Sequence, residues 1–408
     1  MDRDALLKCL NEKAALDLLS QMVQHKSYSE TEGERTLAAF MVDRMRELGL
    51  EADLSPVAGV RVNAIGRLKG AGGGKSLLFN GHLDTNPVTE GWTVDPWAGL
   101  VDDKFIYGIG VSNMKAGDAA YFCALKTLID AGVKLKGDVV LTYVVGELQG
   151  GVGTVAAIRQ GVTADYFVNS EPTDLQAITM HACAFTFVIE LVGNTRHLSK
   201  REEAVDAIVA ACDLVPRLNA MRFSGARSNE HASINRVHVG VMRGALGAEL
   251  LEWRPPQVAD VAMIKGSGRY APGQTEAGAV ADMRRELDQL ESRFTGLKAT
   301  IRVDRKTGHG VMPAFEVAKD ARIVKTINAA YHAVRGQSQA TGAIAPPCFF
   351  GTDAGHFYDA LGLEGIVCGP GGRYNTMPDE RVDIVDYLDM IRIYILCILD
   401  ICEVAQFG

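Results

Sequence analysis

"SLLFNGHLDTNP", residues 76–87, is the stretch on which the reading of this chain turns. Its apolar start reads as a strand. It then delivers a His and an Asp two residues apart, His82 and Asp84, the way many hydrolases open a metal site. "DVVLTYVV", residues 138–145, is a continuous apolar run suited to a strand covered on both faces. "GTVAAIRQG" (153–161) reads as a helix ending at Gly161, and "ADYFVNSEPT" (164–173) as a strand that stops in a polar cluster. Strands alternating with helices predict the α/β class, with a mostly parallel central sheet flanked by helices. Function in such sheets collects at the carboxyl ends of strands. His82, Glu147 and Glu171 each lie just after one of these strands, and that shared placement argues for one site.

On the N-terminal side, residues 4–24 and 31–48 read as amphipathic helices, the second opened by "SETEGE" (29–34), which carries helix-start signals. Residues 114–131 read as a further helix. "KGAGGGKS" (69–76) is a near-miss for a phosphate-binding loop, but it precedes a strand instead of opening a helix, so it reads as a turn. The texture changes near residue 178. "ITMHACAFTFVIELVG" (178–193) reads as one long strand, followed by helices at 201–218 and near 275–292 and by "KATIRVDR" (298–305). This predicts an inserted α+β unit over 178–307, within a catalytic domain formed by 1–177 and 308–408. The α/β pattern resumes with a helix at 317–335, the short strand in "GIVCGPGG" and a closing helix at 383–404.

The chain has 408 residues, enough for two domains, and its 47% hydrophobic and 23% charged content is that of a globular protein. A net charge of −8 without a long basic run argues against nucleic-acid binding. No stretch reaches the ~18 uncharged apolar residues of a membrane span. The first residues, "MDRDALLKCLNEK", do not read as a signal peptide. Eight scattered cysteines without a CxxC pair read as reduced and mostly buried, and the expected location is the cytoplasm.

Seven ordered motifs carry a resemblance. They are "NGHLDTNPVTEGWTVDPWAG", "DKFIYGIGVSNMKAG", "GELQGGVGT", "VNSEPT", "VGNTRHLS", "GTDAGHF" and "CGPGGRYNTMPDE". In that order, over nearly the whole length, the chain resembles the zinc-type aminoacylase/carboxypeptidase metallopeptidase family, which includes acetylornithine deacetylase, succinyl-diaminopimelate desuccinylase and the glutamate carboxypeptidases. The resemblance implies a catalytic α/β domain with an inserted dimerisation or lid domain, hence a homodimer. It also implies two metal ions that share an Asp and activate a water, with a Glu as general base, for C–N cleavage in a small-molecule substrate.

Carried over residue by residue, His82 matches a ligand of the first metal and Asp84 the carboxylate that orients it. Glu171 matches the first metal's carboxylate ligand and Glu147 the general base. His197 matches the insert-domain His that reaches across a dimer. Three positions depart from the pattern. Asn113 stands where the family has the bridging Asp, Leu148 where a second Glu binds the second metal, and Asn375 where a His does. All three serve the second ion. Leu148 donates nothing to a cation and Asn375 only a neutral amide. The expectation is therefore one divalent ion, held by His82 and Glu171, with Asn113 either a third ligand or only a helix cap before "MKAG". Such a donor set suits Mn²⁺ or Fe²⁺ at least as well as Zn²⁺, with Co²⁺ a further candidate.

Asn235 and Arg236, in "SINRVHVG", are candidate anchors for a substrate carboxylate. His356 and Asn375 are candidate substrate contacts. Asp353 reads as structural, and the loop bearing Trp92 and Trp97 as packing. The reaction class is hydrolysis of a C–N bond in a small carboxylate-bearing molecule. It is either amide deacylation or deamination of an electron-poor aromatic amine such as a nitroanthranilate. The rival reading is a non-catalytic binding or structural dimer of the same fold.

Overall fold

The computed structural model describes residues 3–252, 254–305 and 311–407. The chain divides into two compact units. One comprises Met1–Met180, Phe315–Pro347 and Thr352–Gly408, and the other His181–Ala314 with Cys348–Gly351. The expected boundary at 307–308 lies outside the described residues.

The first unit is built on an eight-stranded sheet in the order Glu51–Ala58, Arg61–Leu68, Val139–Val144, Leu77–His82, Tyr166–Asn169, Glu364–Val367, Ala177–Ile178, Thr341–Gly342. Its four central strands run parallel, and they pair antiparallel with Arg61–Leu68 on one side and Ala177–Ile178 on the other. Every residue of Leu77–His82 and Val139–Val144 is buried, which is why both read as unbroken apolar runs instead of alternating ones. Helix Ala116–Asp130 packs on the sheet beside the C-terminal helix Ile384–Cys402. Phe79 sits between Tyr121 and Tyr394, with ring centroids 5.4 and 5.1 Å away.

The second unit has a four-stranded antiparallel sheet, Arg236–Ala245, Val261–Tyr270, Cys183–Val192 and Lys298–Val303 in spatial order. Helices Ala207–Asn219 and Glu276–Arg293 close its core.

Two sequence expectations change. The helix expected over 4–24 is two, Arg3–Leu7 and Glu12–Gln24, because the Asn11 side chain accepts from Ala14 N and starts a new helix. The strand expected over 178–193 is three pieces. Ala177–Ile178 joins the eight-stranded sheet, whereas Cys183–Val192 joins the four-stranded one. One apolar run therefore serves two cores, and periodicity cannot report such a hand-over. All eight cysteines are free and six are buried. Among the described residues no helix is long and apolar enough to cross a membrane.

Candidate metal centre

Three neighbouring parallel strands end together, and residues at or just beyond their carboxyl ends make the site. His82 is the last residue of Leu77–His82. Glu171 lies two residues beyond Tyr166–Asn169, and Glu147 three residues beyond Val139–Val144. His82 is 2% exposed. Its Nδ1 lies 2.8 Å from the main-chain carbonyl of Asp84, an acceptor, so Nδ1 carries the proton. Nε2 then faces two oxygens, Asn113 Oδ1 at 3.1 Å and Glu171 Oε1 at 3.8 Å. Facing two acceptors, Nε2 either carries a second proton, making the ring an imidazolium, or shares those oxygens with a cation. Burial alone would make His82 a weaker base. The carboxylates of Glu171, Asp84, Glu147 and Asp118 overcome that and raise its pKa to about 10.

That geometry bears on the ion. Donors about 2.0–2.2 Å from a metal, at the angles of common coordination shells, lie roughly 3–3.5 Å apart. The separations at His82, Asn113 and Glu171 are close to this. Among the described residues no group of three or more His, Cys, Asp or Glu could hold a metal by itself. An ion at this place needs the Asn113 amide, and the donor set fits on that condition. Asn113 is placed through its backbone, since Ser112 N and Asn113 N donate to Glu380 Oε1 at 2.9 and 3.0 Å.

Asp84 corrects the sequence reading. Its carboxylate does not orient the imidazole, because Oδ1 is 3.7 Å from His82 Nδ1 and the ring is held by the residue's own carbonyl. The carboxylate instead accepts Gly146 N at 2.8 Å, and Glu147 N and Leu148 N at 3.3 Å each. It thus anchors the turn that presents Glu147. Ser29 donates to Asp84 Oδ2 at 3.2 Å, Gln149 donates to Ser29, and Arg61 donates to Gln149 while forking onto buried Glu34. Replacing Asp84 with Asn is expected to lower kcat by about 10–100-fold, because an amide gathers those N–H groups less strongly. Initial rates and metal content of the Asp84→Asn variant check this.

The far side of the turn is held by His356, whose Nε2 donates to the Gly150 carbonyl at 2.9 Å. Gly150 and Gly151 have φ of 82° and 75°. A Cβ on Gly151 would lie 2.5 Å from both Asp353 Oδ1 and His356 Nε2, so that approach requires glycine. The structure therefore commits His356, a candidate substrate contact, to the backbone behind Glu147. Asn375 is also committed, its Oδ1 accepting from the Ser112 hydroxyl. Leu148 contributes only its N–H.

Two further acids crowd the site: Asp353, read from sequence as structural, and Asp118, which sequence reasoning passed over. Asp353 is 1% exposed. A weak approach by the Thr154 hydroxyl aside, its oxygens have no hydrogen-bond partner among the described residues. Asp118 is fully buried beneath Gly81, with one oxygen bonded to Tyr121. An acid inside the apolar run "AGDAAYFCAL" was the available signal. Burial raises Glu171 and Asp353 to about 7 each, and raises half-buried Glu147 well above the ordinary carboxylate range. Crowded acids around one imidazole form a site that favours a cation.

In the second unit, His197 is exposed and caps the turn Leu198–Glu203, its Nδ1 accepting from Ser199 N at 3.3 Å. Asn235, expected to anchor substrate, is instead 1% exposed. It accepts from Phe223 N at 2.8 Å and donates to Gln274 at 2.7 Å, so its amide is spent inside the unit. Arg236 lies over the Phe349 ring at 4.6 Å.

An α/β sheet presenting His82, Glu147 and Glu171 at adjacent strand ends is the architecture of a metallohydrolase. Residues 78–400 match the sequence model of Peptidase family M20/M25/M40, and the chain belongs to that family. It is accordingly a metal-dependent amidohydrolase. It is 24% identical over 418 residues to an N-formyl-4-amino-5-aminomethyl-2-methylpyrimidine deformylase of Bacillus subtilis (strain 168), covering 95% of this chain and 94% of the relative. It is 25% identical over 382 residues to an acetylornithine deacetylase of Proteus mirabilis (strain HI4320), covering 90% and 92%. The fold resembles that of aminopeptidase PepT from Bacillus cereus ATCC 10987, with a TM-score of 0.74 and 20% identity over 97% of this chain and 100% of the other.

Proposed function

We propose that this protein hydrolyses a C–N bond in a small carboxylate-bearing substrate at a one-metal site, with Glu147 as general base. The observation that carries the reading is the convergence of His82 Nε2, Asn113 Oδ1 and Glu171 Oε1 beside a turn that Asp84 and His356 pin from opposite sides. A divalent ion, Mn²⁺ or Zn²⁺ (Fe²⁺ and Co²⁺ share the same donors), supplies Lewis-acid polarisation and lowers the pKa of water when bound. Glu147 takes the proton from the attacking water and returns it to the departing nitrogen. A carboxyl raised by burial holds that proton between the two transfers. Amide deacylation and deamination of an electron-poor aromatic amine both fit this scheme. The pyrimidine named for the Bacillus subtilis relative supports a compact ring-bearing substrate.

The cell compartment proposed is the cytoplasm, in keeping with eight free cysteines. Dimerisation through the second unit is supported by Val241 and Met242, exposed on its edge strand. Sedimentation is expected to give twice the mass of one chain. His197 is proposed to act across that dimer.

Metal analysis of protein purified without added metal is expected to give one equivalent per chain. A panel of N-acyl amino acids and aromatic amines is expected to show turnover that chelation abolishes. Two equivalents would overturn the one-metal centre. Absence of metal-dependent turnover across the panel would favour a binding protein of the same fold.

A further inference from the structure

Next to Asn113 the first unit holds a recess of about 240 Å³. Asn113 lines it on one side, and Pro87, Trp92, Ile109 and Met377 supply apolar walls. The expectation that both tryptophans of this loop merely pack is right for Trp97, which meets Tyr28 edge-on at 4.9 Å, but Trp92 lines the recess. The recess is built, not incidental. Asp379 accepts Thr93 N at 2.8 Å and the Thr93 hydroxyl at 2.6 Å, tying the loop that carries Trp92 to the loop that carries Met377. The next residue, Glu380, ties that second loop to the Asn113 backbone. Consecutive acids therefore fix both flanks before anything binds, which reduces the ordering cost of binding. Among the described residues the one carboxylate lining the recess is Glu380, and it is already occupied by the N–H groups of Ser112 and Asn113.

Resting on the metal-site reading above, we propose that this recess is the substrate's side-group subsite and that it takes a single flat, uncharged ring. Three observations select that occupant. The apolar part of the lining, an indole with Pro87, Ile109 and Met377, rewards a planar apolar surface, and the polar part is uncharged apart from the occupied Glu380. A cavity of about 150 Å³ accommodates benzene, so this volume fits one substituted ring and not an extended peptide. The Asn113 wall places the ring next to the atoms that would bind the ion, so ring and scissile nitrogen are separated by few bonds.

The test uses benzamide and acetamide, neutral probes that need no ion, titrated by ligand-observed NMR into full-length protein dialysed against chelator. Benzamide is expected to bind about tenfold or more tighter than acetamide. The Met377→Trp variant, which fills the recess from an exposed position, and the Trp92→Ala variant, which removes a wall, should each bring the ratio below about threefold. If Trp92→Ala fails to fold, Met377→Trp decides. Equal binding of the two probes by the unaltered protein, or a ring preference that survives Met377→Trp, overturns the subsite. Because no ion enters the measurement, a negative result leaves the metal centre standing. A failure to bind metal likewise leaves the ring test in force.

Discussion

Replacing Glu147 with Gln is expected to lower turnover by ~10³-fold while leaving metal content unchanged. The amide has nearly the same shape and still fits the turn closed by Asp84 and His356. What it cannot do is accept a proton from water. The ion should remain, since His82, Asn113 and Glu171 are untouched. Folding gives a second sign to check. Burial first, and then the neighbouring acids Glu171, Asp353 and Asp84, raise Glu147 above its unfolded value. For an acid shifted that way, ionisation opposes folding once the pH exceeds the ordinary carboxylate pKa. Gln removes that cost, so the metal-free Glu147→Gln variant should unfold at a temperature no lower than the parent. Initial rates, elemental analysis and thermal denaturation measure the three effects. A variant retaining a tenth of the parent rate would remove Glu147 from the proton path.

His82→Ala should act on the ion itself. Of the three donors proposed for the ion it removes the one nitrogen and leaves one carboxylate and one neutral amide, too few for a stable site. Metal affinity should fall by more than the ~10–100-fold that outer partners are worth, and turnover should fall with it. Excess Mn²⁺ or Zn²⁺ in the assay should not restore the parent rate. Calorimetric titration of metal into the chelated protein reads the affinity directly. Parent-like affinity in His82→Ala would mean that the ion is held elsewhere.

Much of the site could be read from the chain because its signals are local. Apolar runs such as "SLLF" and "DVVLTYVV" are strands buried on both faces, and their carboxyl ends position His82 and Glu147 wherever the rest of the chain goes. The class of fold and the departures at Asn113, Leu148 and Asn375 belong to this kind of information, whereas the break at Asn11 was missed although a cap residue stood there. Side-chain partners do not. Asp84 and Gly146 are 62 residues apart, and only strand pairing brings that carboxylate to the turn instead of to its neighbour His82. His356 reaches the Gly150 carbonyl across 206 residues, and Asp379 reaches Thr93 across 286. Asn235 looked free to bind substrate until the second unit closed around it. Hydrogen-bond capacity belongs to the residue type and is visible in sequence, but the atom that uses it up is chosen by tertiary packing.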